Sequence, residues 1–96
     1  MPKGYIISAH RSPADPVKRE AYTKIAVPAF EAYGGKILAK ASEVTAKENG
    51  VNERTILIEF ESYKKAIEAY ESEEYQRALK VLDGGSDRDF RIFEGV

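Results

Sequence analysis

Thr55-Ile56-Leu57-Ile58-Glu59-Phe60 is the clearest predicted β-strand in this chain. Its side chains are mostly β-branched or aromatic, which favours a pleated strand, and charged residues flank it on both sides. Ser62 follows, and its hydroxyl can accept a backbone N–H group at the start of a helix that carries Ala66, Ile67 and Tyr70 on one side. The middle of the chain therefore predicts a strand followed by a helix.

Toward the N-terminus, the alternation from Tyr5 to His10 predicts a first strand. Asp15 and Pro16 then predict a helix start, because the carboxylate can accept backbone N–H groups and proline loses nothing at the first helical position. Apolar residues recur after it at helical spacing: Val17, Ala21, Ile25, Ala29, Phe30 and Tyr33. Pro28 lies within this stripe, and we expect it to kink or split the helix, with a bend near Ile25.

The remaining boundaries follow from glycine, asparagine and serine. Gly34-Gly35 predicts the left-handed end of the first helix, with a second strand over Lys36 to Lys40. Asn49-Gly50 predicts a tight turn that joins the second and third strands as a hairpin. Ser72 is a candidate break in the second helix, which resumes with Tyr75, Leu79 and Leu82 and ends at Asp83-Gly84-Gly85-Ser86 before a last strand over Phe90 to Glu94.

This order of elements predicts an α+β fold: a ferredoxin-like βαββαβ sandwich, with a four-stranded antiparallel sheet and two helices on one face. A chain of 96 residues buries only about two thirds of its unfolded surface, so we expect residues 1–96 to form a single domain.

The two faces of the predicted sheet differ in composition. The uniformly apolar set is expected to pack under the helices: Tyr5, Ile7, Ala9, Ile56, Ile58, Phe60, Phe90 and Ile92. The opposite set is mixed: Ile6, Ser8, His10, Thr55, Leu57, Glu59, Arg91 and Phe93. A face of that kind usually meets another surface, so we expect the sheets of two copies to pack together as a homodimer.

Composition excludes several classes of protein. A net charge of -1 provides no field to gather nucleic acid or an anionic membrane, so neither is an expected partner. The chain has no cysteine, which excludes disulfides and sulfur-ligated metals. No apolar run is long enough for a signal peptide or a membrane span, and we expect a cytoplasmic protein.

A set of residues spread over nearly the whole chain carries a family resemblance: Gly4-Tyr5-Ile6, Asp15-Pro16, Tyr22, Pro28, Tyr33-Gly34-Gly35, Ile58-Glu59-Phe60, Tyr70, Ser72, Glu74-Tyr75, Asp87-Arg88 and Glu94-Gly95-Val96. In their order and spacing the chain resembles the bacterial family called domain of unknown function 1330, within the dimeric α/β-barrel superfamily. The resemblance implies a ferredoxin-like subunit whose sheet pairs with that of a second copy. It implies no settled activity, substrate or cofactor.

Three residues are candidates for catalysis. His10, the only histidine, lies at a strand end and is the one side chain that titrates ordinarily near neutral pH. Glu59 lies within the most apolar strand, where it either pairs with Arg88 or Arg91 or acts as an acid or base. Arg88 precedes the last strand and can bind a substrate carboxylate, or else pair with Asp87 or a neighbouring chain.

Tyrosines on or near the helices are candidates for a ligand pocket. Tyr22 and Tyr33, together with Arg88, are the predicted ligand-binding residues, and Tyr70 and Tyr75 share the pattern. The alternative is that these tyrosines are core residues whose hydroxyl groups reach the surface.

Common cofactor and metal sites have no counterpart in the sequence. One histidine without cysteine cannot form a usual zinc site, and neither glycine pair has the spacing of a phosphate or dinucleotide loop. We therefore expect no metal and no cofactor, although the sequence leaves open a carboxylate-rich metal site across a dimer. The predicted function is a homodimer that binds a small organic molecule between sheet and helices. One alternative is a non-catalytic interaction dimer, and the superfamily resemblance implies another, a cofactor-free isomerase or monooxygenase-like enzyme.

Overall fold

In a computed structural model, which describes residues 2–96, the protein forms a four-stranded antiparallel sheet with helices on one face. The elements are β1 Gly4–His10, α1 Pro16–Ala32, β2 Lys36–Ala41, β3 Thr55–Phe60, α2 Tyr63–Glu71, α3 Glu73–Leu82 and β4 Arg88–Glu94. The strand order is β2-β3-β1-β4. The predicted ferredoxin-like architecture is confirmed.

The first helix begins and ends where the sequence predicts. The Asp15 carboxylate accepts hydrogen bonds from the backbone N–H groups of Val17 and Lys18, each at 3.0 Å, and Pro16 is the first helical residue. Gly34, at a φ of +79°, provides the left-handed residue after Tyr33. Pro28 was predicted to kink or split the helix, and the split does not occur: the helix continues through this residue to Ala32.

The predicted break at Ser72 divides the second helical segment into α2 and α3. The Ser72 hydroxyl donates to the carbonyl of Ala69 at 2.8 Å, at the end of α2, and accepts from the backbone N–H of Tyr75 at 3.2 Å, at the start of α3. One buried side chain therefore caps two helices.

The connection between β2 and β3 is longer than a tight hairpin. The Gly50 N–H donates to the Lys47 carbonyl at 2.8 Å, so a turn forms one residue earlier than the predicted Asn49-Gly50 pair, with Glu48 and Asn49 at its centre. It lies within a loop over residues 42–54, because pairing between the strands stops at Ala41 and Thr55. The local turn signal was right to within one residue, and the inference that it joins the strands directly was wrong.

The predicted faces are correct for β3 and β4 and wrong for β1. Ile6 pairs with Ile58 and Ile92, Ser8 pairs with Ile56 and Phe90, and His10 pairs with Arg88, which places all of them on the helix-facing side. Ile6, Ser8 and His10 are at most 7% exposed. The more apolar set of β1, Tyr5, Ile7 and Ala9, lies on the open face instead.

The core lies between the sheet and the helices. Phe60, Ile6 and Tyr75 are the largest side chains that are fully buried, and Phe30 lies between two of them, with its ring centroid 5.9 Å from Phe60 and 4.6 Å from Tyr75. The open face carries Tyr5, Ile7, Leu57 and Phe93, with Phe93 42% exposed.

Candidate functional site

A cavity of about 280 Å³ lies between the helix-facing side of the sheet and α1. Alternate residues of three strands form its floor: Ser8, His10, Ile56, Ile58, Arg88 and Phe90. Arg19, Tyr22, Ala26 and Phe30 of α1 also line it. Their spacing of three and four residues places them on one side of the helix, so sheet and helix each contribute one continuous wall.

His10 lies at the end of β1, where three segments meet. Its backbone N–H donates to the Arg54 carbonyl at 2.9 Å, and its imidazole Nδ1 lies 3.2 Å from the Ser86 hydroxyl oxygen. Its Nε2 makes no hydrogen bond within residues 2–96. The side chain is held by one ring nitrogen, and His10 also lines the cavity.

The electrostatic surroundings keep His10 neutral. Burial lowers the pKa of His10, and the positive charges of Arg88, Arg54 and Arg19 lower it further, because each disfavours a second cation nearby. Since the ordinary pKa of histidine is about 6.5, the imidazole is uncharged at pH 7. A neutral imidazole can accept a proton or a hydrogen bond from a ligand.

Arg88 is positioned by aromatic side chains rather than by an acid. Its Nη1 donates to the Tyr22 hydroxyl at 3.1 Å, and its guanidinium carbon lies 5.1 Å from the ring centroid of Tyr22 and 4.9 Å from that of Phe90. The Tyr22 hydroxyl is in turn 2.8 Å from the hydroxyl of Tyr75, whose pKa is raised by burial. The guanidinium is thus fixed at the cavity wall, and no carboxylate within residues 2–96 forms a salt bridge with it.

The structure brings together three of the five predicted site residues. His10, Tyr22 and Arg88 line the same cavity. Tyr33 packs against the core instead, with the Lys65 ammonium group 5.9 Å from its ring centroid. Glu59 lies on the open face of the sheet, where its carboxylate accepts a hydrogen bond from the Tyr5 hydroxyl at 3.1 Å, and it pairs with neither Arg88 nor Arg91.

Sequence reasoning missed Arg19, Arg54 and Ser86. Arg19 resembles a solvated residue of a helix surface, and the other two lie in loops without a local motif. Their positions in the sequence could have indicated two of these residues. Arg54 directly precedes the most evident strand, and Ser86 follows the glycine pair that ends the last helix. Only the pairing of β1 with β3 and β4 shows that these ends converge on His10.

The predicted charge state of His10 can be measured by NMR titration, since the chain has a single histidine. We expect a pKa below the ordinary value, and an upward shift when Arg54→Met removes one neighbouring positive charge. Arg77→Met, at an exposed arginine of α3, is the matched control and should leave the pKa unchanged.

The same shift fixes a pH dependence of stability. Because the pKa of His10 is lower in the folded protein, the unfolded chain binds the proton more readily. The contribution of His10 to the free energy of unfolding is therefore fully present above the unfolded pKa of about 6.5. It declines as the pH falls below that value toward the folded-state pKa. A titration midpoint at or above the ordinary value would contradict the described surroundings of His10.

Comparison with known proteins identifies the family to which the chain belongs. The family model described as a domain of unknown function (DUF1330) matches residues 3–96, and the chain belongs to this family. No curated protein matches the sequence.

Solved structures share the fold at low sequence identity. A protein of unknown function from Rhodopseudomonas palustris is 16% identical, with a TM-score of 0.75 over 99% of this chain and 83% of that one. SnoaB, a cofactor-independent oxygenase from Streptomyces nogalater, is 10% identical, with a TM-score of 0.61 over 97% and 92% of the two chains. An EthD-family protein from Bacillus halodurans is 12% identical, with a TM-score of 0.56 over the full length of both chains. These likenesses establish the ferredoxin-like α/β fold.

Two further observations concern residues 2–96. No group of three or more histidine, aspartate or glutamate side chains in this range is placed to hold a metal ion. None of the helices in it has the length and apolar character needed to cross a bilayer.

Proposed function

We propose that this protein is a homodimer that binds a small organic molecule in the cavity between the sheet and α1 of each subunit. The observation that supports binding is the convergence of His10, Tyr22 and Arg88 on a cavity whose other walls include Phe30, Ile56 and Phe90. Ligand sites combine apolar walls with a few polar groups in this way.

The size of the cavity limits the ligand. Its volume of about 280 Å³ lies near the lower end of the range of roughly 300–1,000 Å³ that is usual for ligand pockets. The walls present flat aromatic rings from Phe30 and Phe90 and the branched side chain of Ile56. A compact molecule with one or two rings suits this space.

The homodimer is supported by the open face of the sheet. With β1 in its observed orientation, Tyr5, Ile7, Leu57 and Phe93 lie on one side, and the Tyr5 and Phe93 rings stack at 5.8 Å. This face is more apolar than the sequence parity predicted, and an apolar sheet face is stabilised by contact with a second surface. The superfamily resemblance implies that the second surface is the same face of another copy. Each cavity then lies on the far side of its own sheet.

A cofactor-free enzyme is the second candidate, favoured by the neutral His10 at the cavity wall. One structural neighbour is a cofactor-independent oxygenase, and in such a role His10 would accept a proton from the bound molecule. A His10→Gln variant would then lose turnover by a larger factor than it loses ligand affinity.

Filling the cavity provides the test of binding. We expect 2-naphthoate or 2-naphthamide to raise the melting temperature of the protein, because a ligand at 100 times its Kd stabilises the folded state by about 2.7 kcal/mol. Ile56→Trp places an indole in the cavity and should abolish the shift. Val17→Trp, at a residue of α1 that is 77% exposed, is the matched control and should retain it. The proposal is wrong if neither probe stabilises the wild type at millimolar concentration, or if Ile56→Trp keeps the full shift.

A further inference from the structure

Positive charge is concentrated at the cavity in a protein that has no excess of it. The chain carries 15 lysine and arginine residues against 16 acidic ones. One acidic residue, Glu31, lines the cavity. Five of the basic residues line it as well: Arg19, Lys36, Lys40, Arg54 and Arg88. The local imbalance is therefore a property of this site and not of the composition.

Three of these positively charged side chains lie near His10. Arg19 on α1, Arg54 before β3 and Arg88 at the start of β4 all lie close enough to His10 to lower its pKa. Arg19 also lowers the pKa of Arg54, after the larger effect of burial. Like charges held together at a partly buried site destabilise the folded state unless an anion compensates them.

No acidic side chain provides that compensation. The salt bridges within residues 2–96 are Lys18–Asp83, Lys24–Glu20 and Arg91–Asp89, and none involves Arg19, Arg54 or Arg88. Glu53 lies beside Arg54 in an adjoining cavity of about 260 Å³, yet forms no salt bridge with it. The guanidinium groups thus keep hydrogen-bond donors that no carboxylate of the described residues uses.

The contacts that each arginine already makes indicate where an anion would bind. Arg88 is engaged by the Tyr22 hydroxyl and by two aromatic rings. Arg19 and Arg54, together with His10, line both the main cavity and the adjoining one, so they lie where the two cavities meet. The junction offers two forked guanidinium donors and, in the tautomer in which the His10 Nδ1 accepts from the Ser86 hydroxyl, an imidazole Nε2–H donor. These are the groups that recognise an anionic oxygen.

We propose that the ligand is an organic anion whose acid group lies among Arg19, Arg54 and His10, while its apolar body lies over Ile56 and Phe90. This inference rests on the proposed binding function and specifies the class of ligand. A carboxylate, sulfonate or phosphate would each satisfy the same donors, because all three present anionic oxygens.

Calorimetric titration with 2-naphthoate and 2-naphthamide tests the charge requirement, since the two probes share their shape and differ in charge. We expect the wild type to bind 2-naphthoate at least about tenfold more tightly, because hydrogen bonds to an ionised acceptor are stronger than those to a neutral one. Arg54→Met and Arg19→Met should each reduce this preference to about threefold or less, with the affinity for 2-naphthamide unchanged. Arg77→Met, at an exposed arginine, should keep the full preference.

Other outcomes of this titration would contradict one or both proposals. Equal affinity of the wild type for the two probes would overturn the anion assignment and leave the proposed cavity function standing. A preference that survives Arg54→Met and Arg19→Met but is lost in Arg88→Met would overturn the position of the acid group. If neither probe binds, the proposed function and this inference fail together.

Discussion

Replacing Phe93 with aspartate is expected to convert the proposed dimer into a folded monomer. Phe93 lies on the open face of the sheet beside Tyr5 and is 42% exposed in the single chain, so its removal costs the subunit little. In a symmetric dimer the same substitution places two carboxylates in the contact. A charge buried there without a partner costs several kcal/mol, which is comparable to the association energy of a moderate dimer.

Analytical ultracentrifugation at micromolar concentration measures this effect directly. The wild type should sediment at twice the mass of the chain and Phe93→Asp at the mass of one chain, with the far-ultraviolet circular dichroism of the two proteins alike. Val17→Asp is the matched control, because Val17 is also an exposed apolar residue but lies on α1. A wild type that sediments as a monomer would refute the dimer, and a dimeric Phe93→Asp variant would show that subunits associate through another surface.

Replacing Tyr75 with alanine should lower the free energy of unfolding by about 3–5 kcal/mol, the range found when large aromatic residues are removed from cores. Tyr75 is fully buried, and its ring centroid lies 4.6 Å from that of Phe30 and 5.1 Å from that of Tyr70. The substitution also removes the hydroxyl that lies 2.8 Å from Tyr22, the residue that positions Arg88. We therefore expect both stability and the cavity wall to be affected.

Urea unfolding at one fixed protein concentration measures the loss, since the stability of a dimer depends on concentration. Tyr63→Ala provides the control: Tyr63 is 42% exposed, and its removal should change the free energy of unfolding by no more than about 0.5 kcal/mol. A loss below about 1.5 kcal/mol for Tyr75→Ala would contradict the central packing position of this residue.

Local chemistry in the sequence predicted most of the fold. Asp15, Ser62 and Ser72 each cap a helix with their own side chain, so a short stretch of sequence carries the whole signal. Gly34 is equally local, because a left-handed backbone favours glycine whatever its surroundings. The strand Thr55–Phe60 was predicted with its observed bounds.

The orientation of β1 could not be obtained in this way. Parity analysis assigns the more apolar side of a strand to the core, and in β1 this rule selected Tyr5, Ile7 and Ala9. The structure buries Ser8 and His10 instead, because polar partners from elsewhere in the chain compensate them: Ser86 for His10 and Arg88 for Ser8. The simple pattern failed at the strand that carries the candidate site, and functional sites are where agreement between local pattern and fold is expected to fail.

The candidate site was predictable only in part for the same reason. His10 and Arg88 could be selected by their chemistry, and Tyr22 by its place on a helix face. Arg19 and Arg54 approach His10 only through the packing of α1 and the pairing of β1 with β3, which are long-range contacts that no local motif encodes. Glu59 was selected because it is a charge in an apolar strand, yet it lies on the other face, bonded to Tyr5.

Methyl NMR of the isoleucine side chains tests most directly whether the cavity is the ligand site. Ile37, Ile56 and Ile58 line the cavity, whereas Ile7 lies on the opposite face of the same sheet and serves as an internal control. Titration with 2-naphthoate is expected to shift the methyl signals of the three cavity residues and leave that of Ile7 in place. Shifts at Ile7 without shifts at Ile56 and Ile58, or no shifts at saturating concentration, would contradict the cavity as the binding site.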